Sequence, residues 1–283
     1  MVEKAVGYWL RAGQQAVARS ANAEALSHLG RGLELLKEMS DATEVRRQEI
    51  RFLLTRAVAL RIGKGYGSDE LLATLMRARD LCQLDDDPRQ MFQVLFGLWT
   101  AKAGRGDFVG AWTLGEECLV IAREQRDTSM LIEAHRLLGS TAVYRAEYRT
   151  AERQLREALN LYKPEKHRAD VLLYGYDPGT TCSGYISWAL WLQGKVTQAL
   201  TASEASIRLA IESEHAPNLA ISYGRARLVA ARSSSKANAP KPETFSRPST
   251  AGSPKVSTHR SCKTPRRDRL RRLLCRQGRL CVY

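Results

Sequence analysis

The chain has no Cys-x-x-Cys pair among its 6 cysteines, and no His-x-x-x-His or His-x-x-Glu pair among its 5 histidines. These absences argue against a disulfide framework, a structural zinc site and metalloprotease chemistry, and leave the cysteines as reduced thiols of a cytoplasmic protein. The N-terminal MVEKAVGYWLRAG lacks the apolar core of a signal peptide. No run approaches the roughly 18 apolar residues that a membrane span needs. The longest candidate, Tyr185 to Leu192, stops at eight. Alternating β-branched runs bounded by turn residues are missing as well, which excludes a strand-built domain. Within residues 1–232 proline falls only at breaks between or starts of apolar segments, at Pro88, Pro164, Pro178 and Pro217.

Charge is unevenly placed. The net charge is +14, yet residues 233–283 hold 13 of the 44 Lys and Arg and only 2 of the 30 Asp and Glu (Glu243 and Asp268). Residues 1–232 are therefore nearly neutral, and the high isoelectric point describes the C-terminal segment. That segment carries Pro240, Pro242, Pro248, Pro254 and Pro265 among many Ser and Thr, too closely spaced for helical hairpins. It reads as a disordered basic tail. Arg266, Arg267, Arg269, Arg271, Arg272 and Arg276 around Leu270, Leu273 and Leu274 also outline a short basic amphipathic helix for nucleic acid or an anionic membrane, though one below about 12–15 residues is marginal alone. Solvated disorder is the simpler reading, and nucleic acid is not the expected partner of the main domain. A shifted frame in GC-rich DNA yields the same composition, so the tail is expected to lie out of frame, with a natural basic appendage as the alternative.

Residues 1–232 repeat. A tetratricopeptide hairpin sets a large residue at position 4 and a small one at 8 of its first helix, then Ala, a bulky residue and a small one at 20, 24 and 27 of its second. The small positions let helices approach and the bulky ones fill the groove between neighbours. Residues 135–162 fit best, with His135, Leu138, Gly139 and Ala142, then Tyr148, Ala151, Leu155 and Ala158. Trp9, Ala12, Gly13 and Ala16, followed by Ala25, Leu29 and Gly32, form a second copy. Three weaker copies keep the second-helix spacing: Leu71, Leu75 and Ala78; Ala111, Gly115 and Cys118; Ala199, Ser203 and Ser206. Gly106-Asp-Phe108 and Gly194-Lys-Val196 supply turns. The position-20 residues are spaced by 46, 40, 40 and 48, more than the about 34 of an ideal array, so longer helices or connections are expected. The sequence thus predicts an all-α, tetratricopeptide-like solenoid over 1–232 and a separate tail over 233–283.

Apparent chemical sites dissolve on inspection. Gly63 to Ser68 holds glycines and Lys64, but it follows a helical segment and its lysine lies between the glycines, unlike a phosphate loop; it reads as a turn. In Tyr174 to Thr181, Pro178 and Gly179 read as a turn and Thr180 or Thr181 as a helix N-cap. Trp188 and Trp191 share a helical face with core-filling spacing, and Trp9, Trp99 and Trp112 add no cage. Cys118 and Cys182 read as buried small residues, and Ser20, Ser183 and Ser187 lack His and Asp partners. No catalytic residue, metal ligand or cofactor is expected.

Three segments carry a resemblance: YWLRAGQ (8–14) within 5–36, KGY (64–66) within 64–82, and YGYDPG (174–179) within 174–200. They resemble the C-terminal helical-repeat region of large bacterial signalling proteins that join an adenylate or guanylate cyclase domain to an AAA-type ATPase. The resemblance runs from about residue 4 to about 225. The phosphate loop and the paired metal-binding aspartates of those enzymes have no counterpart here, and members carry hundreds of residues ahead of the YWLRAG helix, where Met1 stands. The resemblance implies a sensing scaffold without the enzyme, either truncated or frameshifted. Its partner would be a protein or peptide on a concave repeat face. Without a C-terminal capping hairpin, the apolar face of the 199–211 helix is expected to stay partly uncovered, inviting self-association.

Overall fold

A computed structural model describes residues 2–84 and 87–237, and every regular element among them is helical. Five antiparallel hairpins follow in order: α1 (Val2–Ala18) with α2 (Asn22–Leu36), α3 (Ala42–Lys64) with α4 (Asp69–Cys82), α5 (Pro88–Gly104) with α6 (Phe108–Gln125), α7 (Thr128–Tyr144) with α8 (Tyr148–Leu161), and α11 (Pro178–Leu192) with α12 (Val196–Glu212). Two one-turn helices, α9 (Pro164–His167) and α10 (Val171–Tyr174), lie between the fourth and fifth hairpins, and α13 (Ala216–Ala237) follows the fifth. Residues 238–283, which include most of the expected basic tail, lie outside the described residues.

The chain chemistry explains where these helices start. Asp41, Asp87, Asp107 and Asp127 each accept backbone N–H groups at the head of α3, α5, α6 and α7, satisfying donors that have no partner inside a helix. Pro88 takes the first turn of α5, where its missing N–H costs nothing. Four of the five hairpin turns share one conformation. Ser20, Gly106, Ala146 and Gly194, each two residues before a second helix, have φ of +60°, +77°, +59° and +79°. The residue after each donates to a carbonyl five back: Ala21 to Ala16, Asp107 to Lys102, Glu147 to Ala142, and Lys195 to Leu190. Glycine makes this turn cheaply; Ser20 and Ala146 adopt it under strain.

Steric fit sets the packing inside each hairpin. A Cβ on Gly139 would sit 2.5 Å from Leu155 Cγ, and one on Gly13 2.5 Å from Leu29 Cδ2. Ala25, Leu29, Leu71, Leu75, Ala111, Ala151, Leu155, Ala158 and Ala199 are all buried, while Trp9 is half-buried against the cluster of Val6, Leu10, Leu29, Leu36 and Phe52. Two long spacings have visible causes. The 46-residue step from Ala25 to Leu71 spans α3, which runs 23 residues. The 48-residue step from Ala151 to Ala199 spans the α9–α10 insertion.

The first helices α1, α3, α5, α7, α11 and α13 touch one another in succession, whereas the second helices pack on the first helices that flank them. The first-helix layer is therefore the tighter side, and the array curves toward it. At the C-terminal end the 199–211 helix is covered on one side, while Leu200, Ile207, Leu209 and Ile211 stay half-buried. Helix α13 packs on both α11 and α12, and Ser206 Oγ lies 3.0 Å from Ser222 Oγ in the buried seam. The small serines of α12 admit a close neighbour, and α13 is that neighbour.

Candidate functional site

The insertion after α8 builds the site. Residues 163–177 form a strap that leaves the array at Tyr162 and rejoins it at α11. At its start, the Lys163 N–H donates to His167 Nδ1 at 2.9 Å, closing α9 on itself. At its end, Asp177 caps α11: its Oδ1 accepts from Thr180 N at 2.7 Å, and its Oδ2 accepts from Tyr162 Oη at 2.6 Å. The cap is Asp177 and not Thr180 or Thr181 as expected, because Pro178 occupies the first helical position and so places the cap one residue before it. Thr181 instead donates its hydroxyl to the Asp177 carbonyl. The Asp177 N–H donates to Asn218 Oδ1 of α13 at 3.1 Å, fixing the strap to the last helix.

Between these anchors the strap crosses the first-helix layer. The Tyr174 ring lies 4.9 Å from Phe96 and 6.2 Å from Phe92, both on α5. Two residues on, Tyr176 Oη meets Tyr66 Oη at 3.0 Å, in the turn between α3 and α4. Tyr174 thus divides the concave groove into two cavities. One, of about 390 Å³, lies toward α1, α3 and α5 and includes Gln14, Arg51, Gln93 and Leu173 in its wall. The other, of about 510 Å³, lies toward α7, α11 and α13. Both are bounded by Arg61, Phe96, Thr100 and Tyr174.

The larger cavity has an unusual wall. Arg61, Arg136 and Arg225 line it together with Tyr66, Tyr144, Tyr176 and Tyr185. Arg136 is buried, ion-paired at 2.6 Å to Glu133 one turn earlier on α7, and lies 5.2 Å from the Phe96 ring centre. Burial raises the Glu133 carboxyl above its ordinary range while Arg136 pulls it down. Arg225 lies 4.0 Å over Tyr185 and 5.6 Å from Trp188. Gly184 makes room for it, since a Cβ there would come within 3.0 Å of Arg225 Nη1. Tyr144 and Tyr185 form a second phenol pair, Oη to Oη at 3.0 Å. Burial raises the Tyr144 phenol, the Tyr185 contact adds to this, and Arg225 opposes it.

Other candidate positions are placed plainly. The Gly63–Ser68 segment is a turn in which Gly65 has φ +92° and Ser68 caps α4; Lys64 pairs with Glu70. The tryptophans are dispersed. Trp99 donates to Thr141 at 2.8 Å, Trp9 faces His28, and Trp112 faces Arg145. Cys118 and Cys182 are buried, and burial raises both thiols. No cluster of three His, Cys, Asp or Glu side chains suited to a metal occurs among the described residues, and no described helix is long and apolar enough to cross a membrane. Sequence reasoning did not single out Arg61, Arg136 or Arg225. For Arg61 and Arg136 the signal was an arginine set inside apolar helical stretches, in AVALRI and AHRLLG.

No protein-family profile and no curated protein matches the chain in sequence. Solved structures do match its fold. The apo form of RapI superposes with a TM-score of 0.53 at 14% identity, over 83% of this chain and 85% of that one. Aspartyl phosphate phosphatase F from Bacillus subtilis gives 0.55 at 14% identity over 81% of this chain. A Rap protein complexed with competence and sporulation factor gives 0.51 at 11% identity over 83% of this chain. The chain spans 60% and 66% of the length of the latter two. At these identities the likeness is one of fold, a tetratricopeptide-like helical array.

Proposed function

We propose that the chain is a non-catalytic interaction scaffold whose concave, first-helix face receives a peptide or an extended segment of a protein. The observation that carries this reading is the pair of cavities flanking Tyr174, which together make an elongated groove lined by seven helices and the strap. A groove on packed helices is held open before a partner arrives, so little ordering entropy is lost on binding. That one fold neighbour is a complex with competence and sporulation factor supports the same use of the fold.

A finer reading concerns origin. Of the three segments that resemble cyclase–ATPase signalling proteins, KGY and YGYDPG meet through Tyr66 and Tyr176. This juxtaposition supports a repeat region of that bacterial kind, working as a cytoplasmic sensor. In this reading residues 1–232 are the working domain and 233–283 an appendage, with self-association a secondary property. Limited trypsin digestion tests the division: one resistant fragment ending near Arg232 supports it, and early cuts inside α5 or α7 refute it.

The main test is selection of peptides from a random display library on the purified full chain. Binding should be abolished by filling the groove with Gln93→Trp and Ile221→Trp, and unaffected by Val109→Glu on the exposed surface. Failure to enrich any peptide, or sensitivity only to Val109→Glu, counts against the scaffold.

A further inference from the structure

The larger cavity carries positive charge that its surroundings leave uncancelled. Its wall contains three arginines and no aspartate or glutamate. Arg136 is already answered by Glu133, and Glu133 is fully buried against it. Arg61 and Arg225 are different. Arg61 Nε is buried and has no hydrogen-bond partner. Arg225 Nη1 donates only a long bond, 3.5 Å, to the Thr181 carbonyl. Neither has a carboxylate within ion-pair distance among the described residues.

The two charges come from helices far apart in sequence, α3 and α13, yet they act on one hydroxyl. Burial pushes the Tyr176 phenol up to about 12, aided by its bond to Tyr66, and both Arg61 and Arg225 pull it back. Each guanidinium is also steadied by an aromatic face, Arg61 5.9 Å from Tyr66 and Arg225 4.0 Å from Tyr185. Two like charges converging in a partly buried space repel, and an anion between them relieves that repulsion while meeting little competition from water. Guanidinium forks match the two oxygens of a carboxylate. The phenol pairs Tyr66–Tyr176 and Tyr144–Tyr185 offer further hydroxyls around the same space.

We infer that the space between Arg61 and Arg225 is a carboxylate-recognition subsite, and that the partner is an acidic peptide that seats an Asp or Glu side chain, or its C-terminal carboxylate, there. The occupant is a peptide because the neighbouring cavity adjoins the subsite across Tyr174, sharing Arg61, Phe96 and Thr100 with it, so a single small acid would fill only one end of the groove. This inference rests on the peptide-scaffold reading and adds the chemistry of what it selects.

The experiment is a peptide array probed with the full chain and with the Arg61→Gln/Arg225→Gln variant, using nonapeptides with Glu or Gln at a scanned position and with free or amidated C-termini. Wild type should prefer Glu over Gln, or acid over amide, at one fixed position by at least about tenfold. The variant should lose that preference while its circular dichroism and melting temperature stay near wild type, and still bind the Gln peptides. Arg225→Lys should keep part of the preference, since charge remains but the fork is lost. Binding without preference for acid, equal in wild type and variant, overturns the subsite and leaves the scaffold standing. Binding of no peptide at all overturns both. Preference for phosphopeptides over Glu peptides, or displacement by millimolar inorganic phosphate but not acetate, overturns the carboxylate assignment.

Discussion

Helices α8 and α11 are nearly equal in length, 14 and 15 residues, and they neighbour each other in space. Their surroundings differ sharply. Helix α8 fully buries only Ala151, Leu155 and Ala158, with Tyr148, Leu159 and Leu161 half-buried beside them and Arg149, Arg153, Arg156 and Glu157 exposed. Helix α11 buries almost every residue from Pro178 to Leu190, on all sides. The first lies in the outer layer and meets the array along one stripe. The second lies in the inner layer, gripped by α7, α8, α12 and α13, and its head receives the strap. The outer helices thus set the repeat, and the inner helices build the site.

This contrast can be broken most severely at its outer member. Leu155→Ala should cost about 2–5 kcal/mol in urea unfolding, because the cavity left against Gly139 cannot collapse between two fixed helices. Gly139→Ala attacks the same contact from the other side by overpacking, at about 1–3 kcal/mol. If Gly139→Ala leaves the midpoint unchanged, α7 and α8 are not in close approach there.

At the inner member a polar substitution should dominate. Asp177→Ala removes the cap of α11 and strands the Tyr162 hydroxyl, at a cost of about 1–3 kcal/mol. Hydrogen exchange should also quicken across residues 163–177. Exchange that rises evenly over the whole chain would show that the strap is not a distinct unit.

A milder test uses pH at the outer layer. The Lys102 ammonium, and then the Gly110 N–H, hold the Asp107 carboxyl below the usual carboxylate range. Asp107 therefore contributes stability that is present above its ordinary pKa and lost as pH falls through the lowered value. Wild type minus Asp107→Asn, followed by melting temperature, should shrink on acidification and stay constant above about pH 5. The smallest effect expected is a gain: Ala146→Gly relieves a φ of +59° and should add up to about 1 kcal/mol.

The outer layer was legible in sequence because sterics act locally. A small residue seven positions after an alanine, with a bulky one between, is visible in Ala151, Leu155 and Ala158, and the same spacing found α2, α4, α6 and α12. The turn after Lys64 was legible for the same reason, its glycines and Ser68 being a helix stop and start. The site was not. Arg61 and Arg225 gain meaning only when curvature brings α3 and α13 around one cavity, and no local pattern encodes curvature. The strap left one trace, the 48-residue step between Ala151 and Ala199, which registered as a long connection without a destination. Its end was misread because Thr180 and Thr181 are good caps in isolation, while the rank of Asp177 depends on Pro178. The α13 cover over α12 was missed because the hairpin spacing marks pairs of helices and does not reveal a single further helix packed on the last pair.

A solenoid whose units touch only their neighbours behaves as a row of dominoes, losing structure one hairpin at a time from either end. The strap is a chord drawn across that arc. It binds the α3–α4 turn and α5 directly to α11 and α13 through Tyr66–Tyr176, Phe96–Tyr174 and Asp177–Asn218. Residues from α3 to α13 then share long-range contacts and should melt as one cooperative block, with the hairpin of α1 and α2, which lies outside the chord, free to unfold ahead of it.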